Sequence, residues 1–201
     1  MHKSLRDVLM DFSKTEVRDI IIATLVLAFA FSGLRNLSSF LPNLLVVGLG
    51  FILHELAHKF VAQKYGFFAE FRMWTIGLAV AAVGSLIGFV FAAPGAVYIA
   101  PAVRGKFAFT VHNITRKENG IISVAGALVN IVIAGAFFAI GTFVPGLKQL
   151  ALQGASINFF LAAFNLLPIP PLDGSKVFGW NKLVWLGTIG IAAAGWLLLH
   201  F

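Results

Sequence analysis

The chain has 201 residues, of which 59% are hydrophobic, 11% are charged and 21 are phenylalanine. This composition excludes an ordinary soluble domain of this length and predicts a protein with several membrane-spanning segments. The net charge of +7 does not indicate nucleic acid binding, because the fifteen Lys and Arg residues lie in short flanks between apolar segments. The absence of cysteine excludes disulfides and thiolate metal sites.

The beginning of the chain predicts a surface helix followed by a first membrane span. Residues 1–19 carry charged and apolar side chains at helical spacing, which predicts an interfacial helix without a site of its own. Residues 20–34 are apolar but short for a bilayer core of ~30 Å, so the span is expected to extend toward Phe40. Pro42 and Asn43 predict the turn that follows.

The second predicted span covers residues 44–65, and its later half contains the sequence His-Glu-Leu-Ala-His. On a helix, His54 and His58 lie one turn apart on one face, so both imidazoles can bind one ion, while Glu55 lies beside that face. On a soluble helix so short a motif could arise by chance, but at the centre of a membrane each charge costs roughly 2.5 to 3.5 kcal/mol. The placement therefore predicts a zinc hydrolase.

The middle of the chain combines a strand-like segment with a broken apolar run. Residues 67–74 alternate aromatic and charged side chains and predict an extended interfacial segment. Residues 75–103 are apolar but interrupted by glycine and proline, which predicts a re-entrant hairpin or two tilted short helices. Residues 104–120 are polar, and their His112 is interpreted as a surface residue in preference to a metal ligand.

The last part of the chain predicts three further spans and an orientation. The spans lie at residues 121–144, 149–167 and 183–201, with a Pro-Gly turn at 145–146. With a cytoplasmic N-terminus, thirteen of the fifteen basic residues are cytoplasmic, all but Arg35 and Lys148, as the positive-inside rule requires. We therefore expect an integral protein of the cell membrane whose N-terminus and site open toward the cytoplasm.

The two histidines need a third ligand, because a catalytic zinc commonly has three ligands from the protein. Of the eight acidic residues, four lie in the N-terminal tail, one belongs to the motif and two lie in polar flanks, which leaves Asp173. It lies just past a span in a proline-rich segment, and irregular backbone at membrane depth is expected only where it lines a cavity. Alone, Asp173 would be interpreted as a turn residue; beside the histidines it is predicted to bind the metal.

The sequence resembles the site-2 protease family of intramembrane zinc metalloproteases in three motifs. These are His-Glu-Leu-Ala-His, Gly-Ala-Leu-Val-Asn at 126–130, and Asn-Leu-Leu-Pro-Ile-Pro-Pro-Leu-Asp-Gly at 165–174. The resemblance implies an all-α polytopic membrane protein, with residues 1–201 forming a single membrane-embedded metalloprotease domain. Its three-helix zinc-binding catalytic core would cover residues 44–66 and 120–182, with residues 67–119 as an insertion.

The resemblance also implies roles for individual residues. His54, His58 and Asp173 would bind one zinc ion per chain, and Glu55 would be the catalytic base. Zinc would lower the pKa of its bound water toward ~7 and polarise the scissile carbonyl, and Glu55 would pass the proton to the leaving amine.

Three asparagines are candidates for stabilising the oxyanion that forms during peptide hydrolysis. Asn130 is the first candidate, while Asn158 and Asn165, which share a helix face, could instead form hydrogen bonds between helices. The strand-like residues 96–99 could add an extended substrate as a further β-strand, or could form a hairpin that packs the bundle.

These features predict an enzyme that hydrolyses peptide bonds within or near the transmembrane segments of other proteins. The expected partners are a transmembrane protein substrate and the lipid bilayer, and no nucleic acid. Two alternatives stay open: a membrane metal-ion transporter that uses the same three ligands, and a catalytically inactive membrane scaffold. A transporter has no need for Glu55, so replacing that residue separates the hypotheses.

Overall fold

The computed structural model describes residues 12–33, 37–101 and 113–200, and most of these residues are helical. The helices and strands are α1 (Lys14–Ser32), α2 (Phe40–Lys64), β1 (Phe67–Met73), α3 (Thr75–Leu86), β2 (Gly95–Pro101), α4 (Arg116–Phe143), α5 (Lys148–Asn165), α6 (Asp173–Trp180) and α7 (Lys182–Leu198). The predicted helical class is therefore confirmed for most of the described chain.

Helix α1 joins the end of the predicted surface helix to the predicted first span. Ser13 caps its N-terminus, because the Ser13 hydroxyl accepts a hydrogen bond of 3.0 Å from the Glu16 amide. Gly33 caps the C-terminus of the helix, and its φ of +66° is rarely adopted by a residue with a Cβ. Residues 1–11 of the predicted surface helix, and Arg35, lie outside the described residues.

The turn between the first two long helices comes earlier than predicted. Since α1 ends at Ser32 and α2 begins at Phe40, the predicted turn at Pro42 and Asn43 is wrong. Pro42 fits the first turn of α2, because the first amides of a helix have no intrahelical acceptor and a missing N–H costs little there. Asn43 is buried and donates to the Ser32 hydroxyl (3.0 Å), which connects the two helices.

A two-stranded antiparallel sheet follows α2, so the all-α expectation is wrong for this segment. β1 occupies the predicted extended segment and pairs with β2 from Phe67 opposite Pro101 to Met73 opposite Gly95. The broken apolar run forms one helix, α3, and one strand, β2, so the alternative of two short helices is wrong, while the re-entrant hairpin stays a prediction. Residues 104–112, with His112, lie outside the described residues.

Two helices in the described part of the chain, α2 and α4, are long and apolar enough to cross a membrane. They have 25 and 28 residues, more than the roughly 20 that a bilayer core requires. Two such helices support membrane insertion only weakly, so the predicted arrangement of five spans stays a prediction.

The packing of the helices brings distant parts of the sequence to one place. Helix α2 lies between α1 and α4, and α4 also contacts α5 and α6. Small side chains allow close helix approach, since Ala127 and Ala134 of α4 and Ala151 and Ala155 of α5 are almost completely buried. The motif on α2 therefore faces α4 and the start of α6.

Candidate active site

The two motif histidines are buried on the face of α2 that contacts α4, with 4% and 6% of their surfaces exposed. Their Nε2 atoms lie 2.9 Å apart. The Oδ2 atom of Asp173 lies 2.9 Å from Nε2 of His58 and 3.4 Å from Nε2 of His54. The structure thus brings together His54, His58 and Asp173, although Asp173 follows His54 by 119 positions in the sequence.

The proline-rich loop before α6 explains how Asp173 reaches the histidines. Asp173 is the first residue of α6, and the Ser175 hydroxyl donates to the Leu172 carbonyl (2.7 Å) in the first turn. A Cβ at Gly174 would collide with the carbonyl of Leu166, so glycine allows the loop to fold back onto the end of α5. The indole of Trp185 donates to the same Leu166 carbonyl (2.7 Å) and holds this end of α5 in place.

The other ring nitrogen of each histidine binds a carbonyl oxygen from α4. Nδ1 of His54 lies 2.5 Å from the side-chain oxygen of Asn130, and Nδ1 of His58 lies 2.7 Å from the main-chain oxygen of Ile122. Because both partners are acceptors, each Nδ1 must carry the proton, which leaves each Nε2 with a free lone pair. Such contacts fix the orientation and tautomer of histidines that bind metals.

The arrangement of these atoms fits a zinc ion. Two unprotonated Nε2 atoms and a carboxylate oxygen all lie within 4.8 Å of one another, and three converging lone pairs repel each other unless a cation lies between them. Zinc bonds of about 2.0–2.2 Å place the ligands of a tetrahedral ion roughly 3 to 3.5 Å apart, close to the observed spacing. His54, His58 and Asp173 could therefore hold a single zinc ion.

The Asp173 carboxylate also contacts a lysine that the sequence did not single out for the site. Nζ of Lys176 lies 3.2 Å from Oδ1 of Asp173, one helical turn further along α6. Burial raises the pKa of the Asp173 carboxyl, but the electrostatic attraction of His58 and of Lys176 holds it well below its usual range. The carboxylate is therefore ionised at neutral pH, as a metal ligand must be.

Asn130 lies on α4 beside His54 and is completely buried. Its amide nitrogen donates to the Gly50 carbonyl (3.2 Å) and to the side-chain oxygen of Asn158 (2.9 Å). Asn158 in turn donates to the Gly154 carbonyl (2.9 Å). Both amide hydrogens of Asn130 are thus used within the bundle, and its contacts are those of a residue that orients His54, while Asn158 connects helices.

Gly126 explains why the Gly-Ala-Leu-Val-Asn segment lies against the motif. A Cβ at this position would lie 2.5 Å from Nε2 of His58 and 2.6 Å from Nε2 of His54. Real Cβ atoms essentially never come closer than 3.0 Å to another heavy atom. Helix α4 can therefore lie beside the two imidazoles only because residue 126 has no side chain.

Glu55 has a carboxylate that the protein itself leaves partly unsatisfied. The residue is 6% exposed, and its Oε2 atom is buried without a hydrogen bond to any residue that the structure describes. A buried carboxylate oxygen without a partner is costly. In a zinc hydrolase this oxygen has a use, because it can accept a proton from water beside the metal.

A cleft runs past these residues and is bounded on its far side by the sheet. On the near side it is lined by Glu55, both histidines, Asp173 and Asn165. On the far side it is lined by Gly95, Ala96, Val97 and Ile99 of β2. Asn165 donates to the Leu161 carbonyl (3.0 Å) and still lies at the cleft, so of the three predicted asparagines it lies at the open side of the site.

Comparisons with known proteins support this chemistry. No protein-family model matches the chain, and no solved structure matches it either. A protein of Methanocaldococcus jannaschii named "Putative zinc metalloprotease" is 42% identical over 192 residues, covering 93% of this chain and 95% of that protein. A protein of the same name from Bacillus subtilis is 29% identical over 160 residues, covering 69% and 68% of the two chains. The chain therefore belongs to this family of zinc metalloproteases.

Proposed function

We propose that this metalloprotease is of the site-2 protease type and cleaves peptide bonds within or near the transmembrane segments of other proteins. The observation that carries the proposal is the location of the ligands. Two of them lie in the later half of α2, a helix that is long and apolar enough to cross a bilayer. Large apolar side chains on the outside of the protein suit a lipid surface, among them Leu41, Val132 and Leu183, which are 72%, 71% and 81% exposed.

The chemistry follows from the arrangement around Glu55. A zinc ion, when bound, acts as a Lewis acid: it lowers the pKa of a bound water molecule toward ~7 and polarises the carbonyl of the scissile bond. Glu55 takes the proton of the attacking water and returns it to the leaving amine. Asn130 and the Ile122 carbonyl keep the two imidazoles in the orientation that this requires.

The edge of β2 that faces away from β1 pairs with no other strand among the described residues, and this open edge is suited to hold an extended substrate. In β1 the amides of Phe71 and Met73 point away from β2, since they donate to side chains of α1. Phe71 is opposite Val97, and Met73 is opposite Gly95, so both are non-hydrogen-bonded pairs of the antiparallel sheet. In such a pair the N–H and C=O groups of both residues point away from the partner strand, so those of Val97 and Gly95 point to the free side of β2. Because both residues line the cleft, a substrate strand could pair with β2 in front of Glu55.

The orientation of the protein is part of the proposal. The positive-inside rule favours a cytoplasmic N-terminus and a site that opens toward the cytoplasm of the cell membrane. Among the described residues, Lys59 and Lys64 follow the two histidines on α2, and Lys176 lines the cleft and contacts Asp173. The substrate is accordingly a membrane protein whose transmembrane helix has been unwound at the scissile bond.

The test uses purified protein in lipid vesicles with a single-span reporter protein, and mass spectrometry of the fragments. Wild type should cut within or next to the span. Glu55→Gln should keep one zinc per chain and lose cleavage by roughly 10²- to 10⁴-fold, the usual contribution of a general base. Glu118→Gln is the matched control, because Glu118 is not among the residues that line the cleft and Gln preserves the capping box of α4.

Each part of the proposal has its own contrary result. Full cleavage by Glu55→Gln would remove this residue as the base. Cuts confined to soluble loops distant from the span would refute intramembrane cleavage and leave a metalloprotease of another kind. Zinc transport into vesicles by Glu55→Gln, with no cleavage by wild type, would favour the transporter alternative.

A further inference from the structure

The outer edge of β1 is covered by carboxylates of α1. The Phe71 amide donates to Oε1 of Glu16 (3.1 Å), and the Met73 amide donates to Oδ2 of Asp19 (3.3 Å). Glu16 and Asp19 are 1% and 3% exposed. Side chains three residues apart on a helix, and amides two residues apart on a strand, are both separated by about 5–7 Å. The carboxylates of Glu16 and Asp19 can therefore each accept a hydrogen bond from one of the two β1 amides that point away from β2.

Glu16 also connects the sheet to the helix that carries the histidines. Its second oxygen, Oε2, lies 2.6 Å from Nζ of Lys59, which is 5% exposed. Lys59 directly follows His58 on α2. One buried carboxylate therefore contacts both the Phe71 amide of the sheet and the residue next to a predicted zinc ligand.

We propose that Glu16, Asp19 and Lys59 are positioning residues that hold the open edge of β2 at the distance from the site that a substrate strand requires. This inference rests on the proposed function. Phe71 and Met73 are paired with Val97 and Gly95, so the amides that α1 holds lie directly behind the two residues that face the cleft. The carboxylates also occupy the only other edge of the two-stranded sheet among the described residues, which leaves β2 as the edge for a further strand.

A purely structural ion pair would behave differently. A buried ion pair can often be replaced by apolar residues of similar size without loss of stability. If the pair serves only to join α1 to α2, Glu16→Leu with Lys59→Met should fold and cleave like wild type. If the Glu16 oxygen positions the sheet, the same protein should fold but bind substrate poorly, because the buried Phe71 amide has lost its acceptor.

The experiment compares two double variants in lipid vesicles. Glu16→Leu/Lys59→Met removes the charges and the acceptor, whereas Glu16→Gln/Lys59→Gln removes the charges but keeps an oxygen for the Phe71 amide. We expect the first to raise KM roughly 5- to 10-fold, the effect of one lost hydrogen bond. The second variant, Glu16→Gln/Lys59→Gln, should have a KM near that of wild type. The two variants should have the same kcat, and each should bind one zinc per chain.

Equal KM values for wild type and both double variants would overturn the proposal, as would equal increases in the two variants. If the apolar variant does not fold, Asp19→Leu and Asp19→Asn decide the question, since only Asn keeps an acceptor for the Met73 amide. A higher KM for Asp19→Leu alone supports the proposal, and equal KM values refute it. Absence of cleavage by wild type is a separate result, which would refute the proposed function.

Discussion

Replacing Gly126 by alanine should disrupt the zinc site with a single methyl group. The added Cβ would lie 2.5 Å from Nε2 of His58 and 2.6 Å from Nε2 of His54, so the imidazoles or helix α4 must move by at least about 0.5 Å to reach the 3.0 Å limit. That movement equals the whole positional tolerance of a functional site, roughly 0.5 Å. We therefore expect zinc affinity to fall at least 10- to 100-fold, the range seen when the support of a metal ligand is lost, and overpacking to cost roughly 1–3 kcal/mol of stability.

The assay is chelator competition on purified protein, with thermal unfolding measured on the same samples. Gly135→Ala is the matched control, because it lies on the same helix and its added Cβ would meet no atom within 4 Å. That variant should bind zinc like wild type and gain up to about 1 kcal/mol from helix propensity. Wild-type zinc affinity in Gly126→Ala would refute the described contact between α4 and the two imidazoles.

Three further predictions follow from the same contacts. Asp173→Ala should lose zinc at chelator concentrations that wild type withstands, and unchanged affinity would remove Asp173 from the ligand set. Asn130→Leu should lower zinc affinity roughly 10- to 100-fold, because Nδ1 of His54 loses its acceptor; unchanged affinity in the same competition assay would contradict the orienting role. Gly174→Ala should lower the unfolding temperature and release zinc, because its Cβ collides with the Leu166 carbonyl; a stable, zinc-replete variant would show that the loop can accommodate a side chain.

The proximity of His54, His58 and Asp173 could be predicted because the signals for it are either local in the sequence or restricted by elimination. The spacing of His54 and His58 defines a helix face by itself, and few carboxylates in so apolar a chain can serve as a partner. Asp173 is accordingly near both imidazoles in the structure. The contacts of Asn130 are harder to predict, because the position of a polar residue on a helix does not show which side chains of the neighbouring helices it meets.

The contacts of the N-terminal helix could not be predicted from the sequence. Charged and apolar residues at helical spacing are typical of a surface helix, yet Glu16 and Asp19 are buried because distant residues of α2 and β1 supply their partners. The turn was misplaced for a similar reason, since Pro42 is compatible both with a turn and with the first turn of a helix. Patterns of a single segment carry no information on long-range partners of this kind.

X-ray absorption at the zinc edge on the purified, zinc-loaded protein tests the central claim most directly. We predict one zinc per chain with two imidazole nitrogens and at least one oxygen ligand at about 2.0–2.2 Å, and a changed spectrum in Asp173→Ala. A zinc environment without two imidazoles, or one that Asp173→Ala leaves unchanged, would contradict a metal centre made of His54, His58 and Asp173.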